Sequence, residues 1–181
     1  MKESCPEAPL QREAGGGLAP TGEGWFVVNL AEARAWHSER FGDGCRFEGA
    51  ARFAEFGINV RVLAPGTPAC LYHRESCQEA FLVLKGECLA IVEEQERRLR
   101  AGDFLFTPPA TNHVLVGAGT APCVVLMVGT RKADEELHYP VSPAAARYGA
   151  SVAHPAGSAP EAYGQGGPWP APRPTTMGEV L

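Results

Sequence analysis

No apolar run in these 181 residues approaches a membrane span. The longest, Cys123 to Val128, falls far short of the roughly 20 residues a spanning helix needs. No apolar stretch follows Lys2, so no signal peptide is expected and the cytoplasm is the expected compartment. Clustered Lys and Arg are also missing. The net charge of −5 supplies no basic surface to neutralise phosphates, so neither nucleic acid nor a membrane is an expected partner. No Cys-x-x-Cys pair occurs, which argues against a thiolate zinc knuckle. The six cysteines (Cys5, Cys45, Cys70, Cys77, Cys88 and Cys123) are scattered, and the expectation is free thiols in a reducing compartment. No internal repeat is evident.

What is present is an ordinary globular balance, 45% hydrophobic and 20% charged, in a chain of single-domain length. Residues 1–24 are rich in Gly, Pro, Ala and Glu without apolar periodicity and read as a flexible arm. Order is expected from Trp25 to Val28, as a short strand. Asn29 with Glu32 three residues on forms a capping box, so Ala31 to Trp36 are expected to make about two helical turns. From Gly42 onward the pattern is short strands punctuated by Gly and Pro: Cys45 to Glu48, Phe53 to Phe56, Ile58 to Leu63, Glu79 to Leu84, a hairpin of Glu87 to Val92 and Glu96 to Arg100, then Phe104 to Phe106, Asn112 to Val116 and Cys123 to Val128. Ser142-Pro143 through Gly149 signals one more helix, with Ser as cap and Pro at the first turn. Residues 141–181 otherwise read as a Pro/Gly-rich tail, with Tyr163 and Trp169 as its anchors if it docks. The expected organisation is an arm at 1–24, a β-barrel at 25–140 and the tail at 141–181.

The chemistry-bearing stretch runs from Gly66 to Gly86. In an extended segment alternate side chains share a face, so His73 and Glu75 point the same way and can reach one ion. Glu79 opens the next strand, and His113 must come from elsewhere in the chain. On Ile58 to Val62, alternation puts Asn59 and Arg61 on one face. If that face lines a pocket, Arg61 can pair with a substrate carboxylate. Phe81, Phe104, Phe106 and Leu115 are expected in the core, with Phe104 and Phe106 as candidate substrate walls.

Gly66, His73, Glu75, Glu79 and Gly86, followed by Gly102, Pro108 and His113, resemble the two motifs of the cupin superfamily, small barrels of jelly-roll type. The resemblance covers residues 45–130. One extra residue separates Gly66 from His73, Glu75 stands where the family usually has a second histidine, Ala110 replaces a glycine, and Gly117 replaces an asparagine. The fold this implies is all-β, a double-stranded β-helix or jelly-roll barrel with one or two short helices and flexible arms.

The resemblance implies that His73, Glu75, Glu79 and His113 surround one divalent ion. Two neutral imidazoles and two carboxylates make a near-neutral site that offsets the cost of burying the ion. Such a set favours Fe, Mn or Zn over Ni or Cu. The expected function is a metal-binding cupin, as a dioxygenase, isomerase or decarboxylase of a small organic acid or carbonyl compound. The alternatives are a non-catalytic module that binds a small molecule or metal, and a metal-free barrel like the sugar epimerases. The expected partners are a small-molecule ligand and a second copy of the chain, a homodimer with Trp25 to Val28 supplying an edge strand.

Overall fold

The structure is a computed structural model and describes residues 5–13, 16–49, 51–164 and 177–179. Its strands are β1 (Leu10–Arg12), β2 (Leu18–Pro20), β3 (Ala35–Ser38), β4 (Gly42–Arg46), β5 (Phe56–Leu63), β6 (Arg74–Glu75), β7 (Glu79–Lys85), β8 (Glu87–Val92), β9 (Gln95–Arg100), β10 (Phe104–Thr107), β11 (His113–Ala118), β12 (Cys123–Thr130) and β13 (Leu137–His138). Two short helices follow, α1 (Pro143–Ala146) and α2 (Ala159–Tyr163). A six-stranded sheet in the order β10-β7-β12-β5-β4-β3 faces a three-stranded sheet, β11-β8-β9, and the ladders that build them are antiparallel. The expected all-β jelly-roll barrel is what the chain forms. Among the described residues no helix is long and apolar enough to cross a membrane.

The barrel core lies between the two sheets. Leu63 of β5, Phe81 and Val83 of β7, Cys88 and Ala90 of β8, Leu115 of β11 and Val125 of β12 pack together there. Burying each larger side chain contributes about 1.5–3 kcal/mol. The hairpin from β8 to β9 turns at Glu93 and Glu94, both at positive φ (47° and 63°), a backbone that matches the right-handed strand twist. All six cysteines are free.

The barrel also has apolar residues on its outside, and the flanking chain covers two of these faces. Val60, Val62 and Val124 point outward and are buried by Ala33, Ala35 and Met177. Ile91, Val114 and Val116 are covered by Ala144 and Ala145 of α1, whose first turn is capped by the Ser142 hydroxyl accepting from Ala145 N at 3.0 Å.

Three expectations change here. Where composition suggests a flexible arm, Leu10–Arg12 and Leu18–Pro20 form the β1–β2 ladder, and Ala8 and Ala19 are buried. Buried residues as small as these give no signal to a search for apolar periodicity. The expected strand at Trp25 to Val28 is a single bridge from Trp25 to Glu7. The expected two-turn helix is one 3-10 turn, Leu30–Glu32, capped by Asn29 Oδ1 accepting from Ala31 N at 2.9 Å. Past it the chain extends into β3, because Ala35 and Trp36 gain partners on β4 that an isolated short helix lacks. Trp169 lies outside the described residues.

Candidate metal centre

His73 and His113 face each other across an antiparallel bridge, exchanging backbone hydrogen bonds in both directions (3.2 and 2.8 Å). Directly opposed residues share a face, so both rings enter the barrel, with centroids 5.1 Å apart. Tyr139 stacks on His73 at 5.5 Å and Phe81 packs on His113 at 5.3 Å, fixing the ring planes. Glu79, first residue of β7, alternates with Phe81 and Val83 and so shares their inward face.

The two histidines are wired alike. His73 Nδ1 lies 2.8 Å from the carbonyl of Leu71, and His113 Nδ1 lies 2.9 Å from the carbonyl of Thr111. A carbonyl only accepts, so each Nδ1 carries the proton and each Nε2 presents a lone pair in the neutral ring. Those Nε2 atoms meet carboxylates: His113 Nε2 is 2.9 Å from Glu79 Oε2, and His73 Nε2 is 3.3 Å from Glu75 Oε1. A lone pair against a carboxylate is repulsive unless a cation, a proton or a metal ion, stands at that point.

His73 shows the same demand. Burial alone would lower its pKa, but the Cys70 thiol and then the Glu75 and Glu79 carboxylates outweigh burial and hold it well above the ordinary imidazole value.

The ligand atoms of His73, Glu79 and His113 all lie within 4.8 Å of one another. Donors on opposite sides of an ion with bonds of about 2.1 Å stand about 4.2 Å apart, so small side-chain rotations close this set. The donor chemistry and the pre-set tautomers fit a divalent ion. The structure thus brings together three of the four expected ligands. Glu75 stands beside them, against His73 and hydrogen-bonded to Glu135. Partial desolvation of Glu135 and the neighbouring Glu75 and Glu79 push its pKa up to about 7. Glu75 is driven the other way; burial would raise it, but His73 holds it below the usual carboxylate range.

The group opens on a cavity of about 430 Å³, within the size range of small-molecule sites. Arg61 lines it, which settles the parity of β5: Asn59 and Arg61 face in and Val60 and Val62 face out. Phe104 and Phe106 do not line it. Alternation on β10 turns Leu105 toward the core and leaves Phe104 and Phe106 outside, 65% and 51% exposed. Phe81 and Leu115 are buried as expected. Tyr72 faces away from the site, its hydroxyl accepting from Glu94 N at 3.2 Å.

The sequence reading did not find Trp36, Arg46, Arg131, Tyr139 and Tyr163 as cavity residues. Arg46 was within reach, since it pairs with Asn59 and so follows the parity of Arg61. Tyr139 carries no local signal at all.

A family profile described as "Cupin domain" matches residues 59–129, the segment that carries β5 to β12. This chain carries a cupin domain. Among solved structures the chain is similar to a predicted oxalate decarboxylase from Thermotoga maritima, with 20% identity, a TM-score of 0.53, and 59% of this chain and 99% of that one covered. It is also similar to the polyketide cyclase RemF from Streptomyces resistomycificus, with 16% identity, a TM-score of 0.50 and coverage of 59% and 79%. At such identities the shared property is the fold. A sugar phosphate isomerase from Silicibacter pomeroyi shares 28% identity at a TM-score of 0.49, covering 52% of this chain, and the cupin spans 62% of that protein's length. No curated protein matches the chain.

Proposed function

We propose that this cupin holds one divalent metal ion through His73, Glu79 and His113, with Glu75 in reach as a further ligand, and turns over a small organic acid or carbonyl compound beside it. The observation that supports this reading is the pair of histidines with Nδ1–H fixed on backbone carbonyls and Nε2 aimed at carboxylates. Outer partners that set the tautomer are the usual accompaniment of metal-ligating imidazoles. An Fe, Mn or Zn ion suits such oxygen and nitrogen donors. Bound there, the ion supplies Lewis acidity or, as Fe(II), reaction with O₂.

The chain's own contribution is positional. Tyr139 and Phe81 hold the rings, and the Leu71 and Thr111 carbonyls keep the protons on Nδ1. Glu75 and Glu135 line the cavity beside them.

Elemental analysis of the purified protein and its His113→Ala, Glu79→Ala and Glu75→Ala variants tests the ligand set. One ion per chain is expected in the wild type, with severe loss in the first two variants and partial loss in the third. Full metal content in both His113→Ala and Glu79→Ala would overturn the assignment. The fold does not select the reaction. Oxygen uptake on an Fe-loaded sample identifies a dioxygenase, and turnover without oxygen on a Zn or Mn sample identifies an isomerase or decarboxylase.

The homodimer belongs to the same proposal, through a different surface. β10 is the edge of the six-stranded sheet, and Phe104, Phe106 and Leu84 are exposed on its outer face. A second copy related by a two-fold axis can bury the same face.

A further inference from the structure

Two buried thiols take no part in the candidate metal centre. Cys88 is the second residue of β8 and Cys123 the first of β12; both are fully buried, in the same core cluster. They belong to different sheets, so the packing of one sheet on the other is what brings them together. Two glycines allow that approach. A Cβ on Gly86, two residues before Cys88, would stand 3.0 Å from Cys123 Cα and 3.3 Å from Cys123 Cβ. A Cβ on Gly117, the partner of Cys88 on β11, would stand 2.7 Å from the carbonyl oxygen of Leu63, and Leu63 is the partner of Cys123 on β5. Cys88 is thus set against Cys123 from two sides, and the two thiols hydrogen-bond each other.

The pair is far from the candidate ligands and close to the surface. β12 runs from Cys123 to Gly129, which pairs with Glu79, and β11 runs from His113 to Gly117, so the thiols lie at the opposite end of the barrel. Glu87 just ahead of Cys88 and residues 119–122 just ahead of Cys123 are exposed. Each cysteine is therefore the first buried residue behind an exposed stretch, where local opening costs least. The two sulfurs also differ. The Cys88 thiol donates to Cys123 and lowers its pKa; burial opposes, and the backbone N–H groups of Cys123, Leu63 and Ala118 lower it further. The same contact, and then burial, pushes Cys88 up. Cys123 is the sulfur that more readily carries the negative charge, and the thiolate is the nucleophile.

We propose that Cys88 and Cys123 form an oxidant-sensitive modification site, at which hydrogen peroxide joins the two sheets through a disulfide and a small thiol releases them. The Cys123 thiolate attacks one peroxide oxygen, the O–O bond breaks, hydroxide leaves, and Cys123 becomes a sulfenic acid. The Cys88 sulfur then attacks the Cys123 sulfur. The S–O bond breaks, the departing oxygen takes the Cys88 proton and leaves as water, and the hydroxide of the first step takes the proton that Cys123 gave up. Two thiols and one peroxide give one disulfide and two waters, the sulfurs losing the two electrons that the peroxide gains. A bond from β8 to β12 constrains the unfolded chain and so stabilises the barrel.

Trypsin separates the two cysteines, because residues 86–97 and 101–131 each form a peptide with a single cysteine. The folded full-length protein is treated with hydrogen peroxide, its remaining thiols are alkylated, and the digest is read by mass spectrometry. Exposed Cys5 reports that the oxidant acted. The expected product is the two peptides joined, lighter than their sum by two hydrogen atoms and parted again by dithiothreitol, with a Tm above that of the reduced protein. Joining should run at least roughly tenfold faster in the folded protein than in concentrated urea, because the fold holds the sulfurs together. Cys88→Ser, which has no second thiol to close the bond, should trap the Cys123 sulfenic acid for labelling by dimedone; the wild-type digest decides the matter even where that variant folds poorly. Oxidation that consumes Cys5 while both peptides keep alkylated thiols overturns the proposal, as does joining that is equally fast in urea.

Discussion

Replacing Gly44 by alanine is a single-methyl perturbation whose sign is decided by competing effects. The backbone at Gly44 is an ordinary strand position, so the unfolded chain would lose freedom and alanine would stabilise by about 0.4–1 kcal/mol if nothing stood in the way. Here the new Cβ falls 2.5 Å from Trp36 Cζ2, 2.9 Å from Trp36 Cη2 and 2.9 Å from Arg61 Cδ. Ordinary contact begins near 3.4 Å, so the ring must retreat by roughly 0.9 Å, which disturbs the Arg46 and Arg61 guanidiniums that lie over it, 5.6 and 5.5 Å from its centroid. Overpacking of this kind costs about 1–3 kcal/mol, and each disturbed cation–ring contact adds about 0.5–1 kcal/mol. Strain exceeds the entropic gain, and the expected net loss is about 1–4 kcal/mol. For a domain of this size that lowers Tm by roughly 2–15 °C. Thermal unfolding followed by tryptophan fluorescence measures the loss. An alanine variant as stable as wild type or more so would refute the packing of Trp36 and Arg61 over Gly44.

The buried Glu48 carboxylate accepts from Arg131 and from Phe53 N (2.8 Å), and these partners outweigh burial and hold its pKa below the usual range. A depressed folded value gives stability that is present above the unfolded value of about 4.3 and lost as pH falls through the folded one. Glu48→Gln should therefore lower Tm at pH 7 and flatten its decline below about pH 4.5, and a parallel pH profile for the two proteins would contradict this. Tyr163→Phe removes the hydroxyl that accepts from Leu71 N at 2.9 Å. An unsatisfied buried N–H costs about 1–3 kcal/mol, so Tm should fall, with faster amide exchange at Leu71. Glu substituted at both Phe104 and Phe106 should yield monomer in sedimentation velocity without loss of metal. A dimer unchanged by those charges would rule out that face.

The sequence reveals the barrel and its candidate ligands for a physical reason. Strand alternation and glycine turns are local, and the intervals from Glu79 to Gly86 and from Gly102 to His113 are those of the motifs the chain resembles. The β8–β9 hairpin lies within one residue of where its turn residues place it. What stays hidden is set by distant partners. Asn29 caps a helix that stops after one turn because β4 recruits the residues that follow it. Phe104 and Phe106 look like core from composition, and only the inward turn of Leu105 shows them to be outside. Gly117 looks like a lost asparagine until the ladder shows why nothing larger fits: a Cβ there would lie 2.1 Å from the Ala64 carbonyl. Arg46 joins Arg61 only through the β4–β5 register.

The cavity wall contributed by α2 comes from far along the chain. Tyr163 reaches back to Leu71, and Ala159 and Tyr163 border the space that His73 and Glu79 enter. The proposed ligands are all translated by His113, whereas Tyr163 arrives fifty residues later. A nascent or clipped chain ending before Ala159 would present His73, Glu79 and His113 at a cavity without the wall that Ala159 and Tyr163 supply. On the proposed reading, ion capture is separable from the closing of that wall.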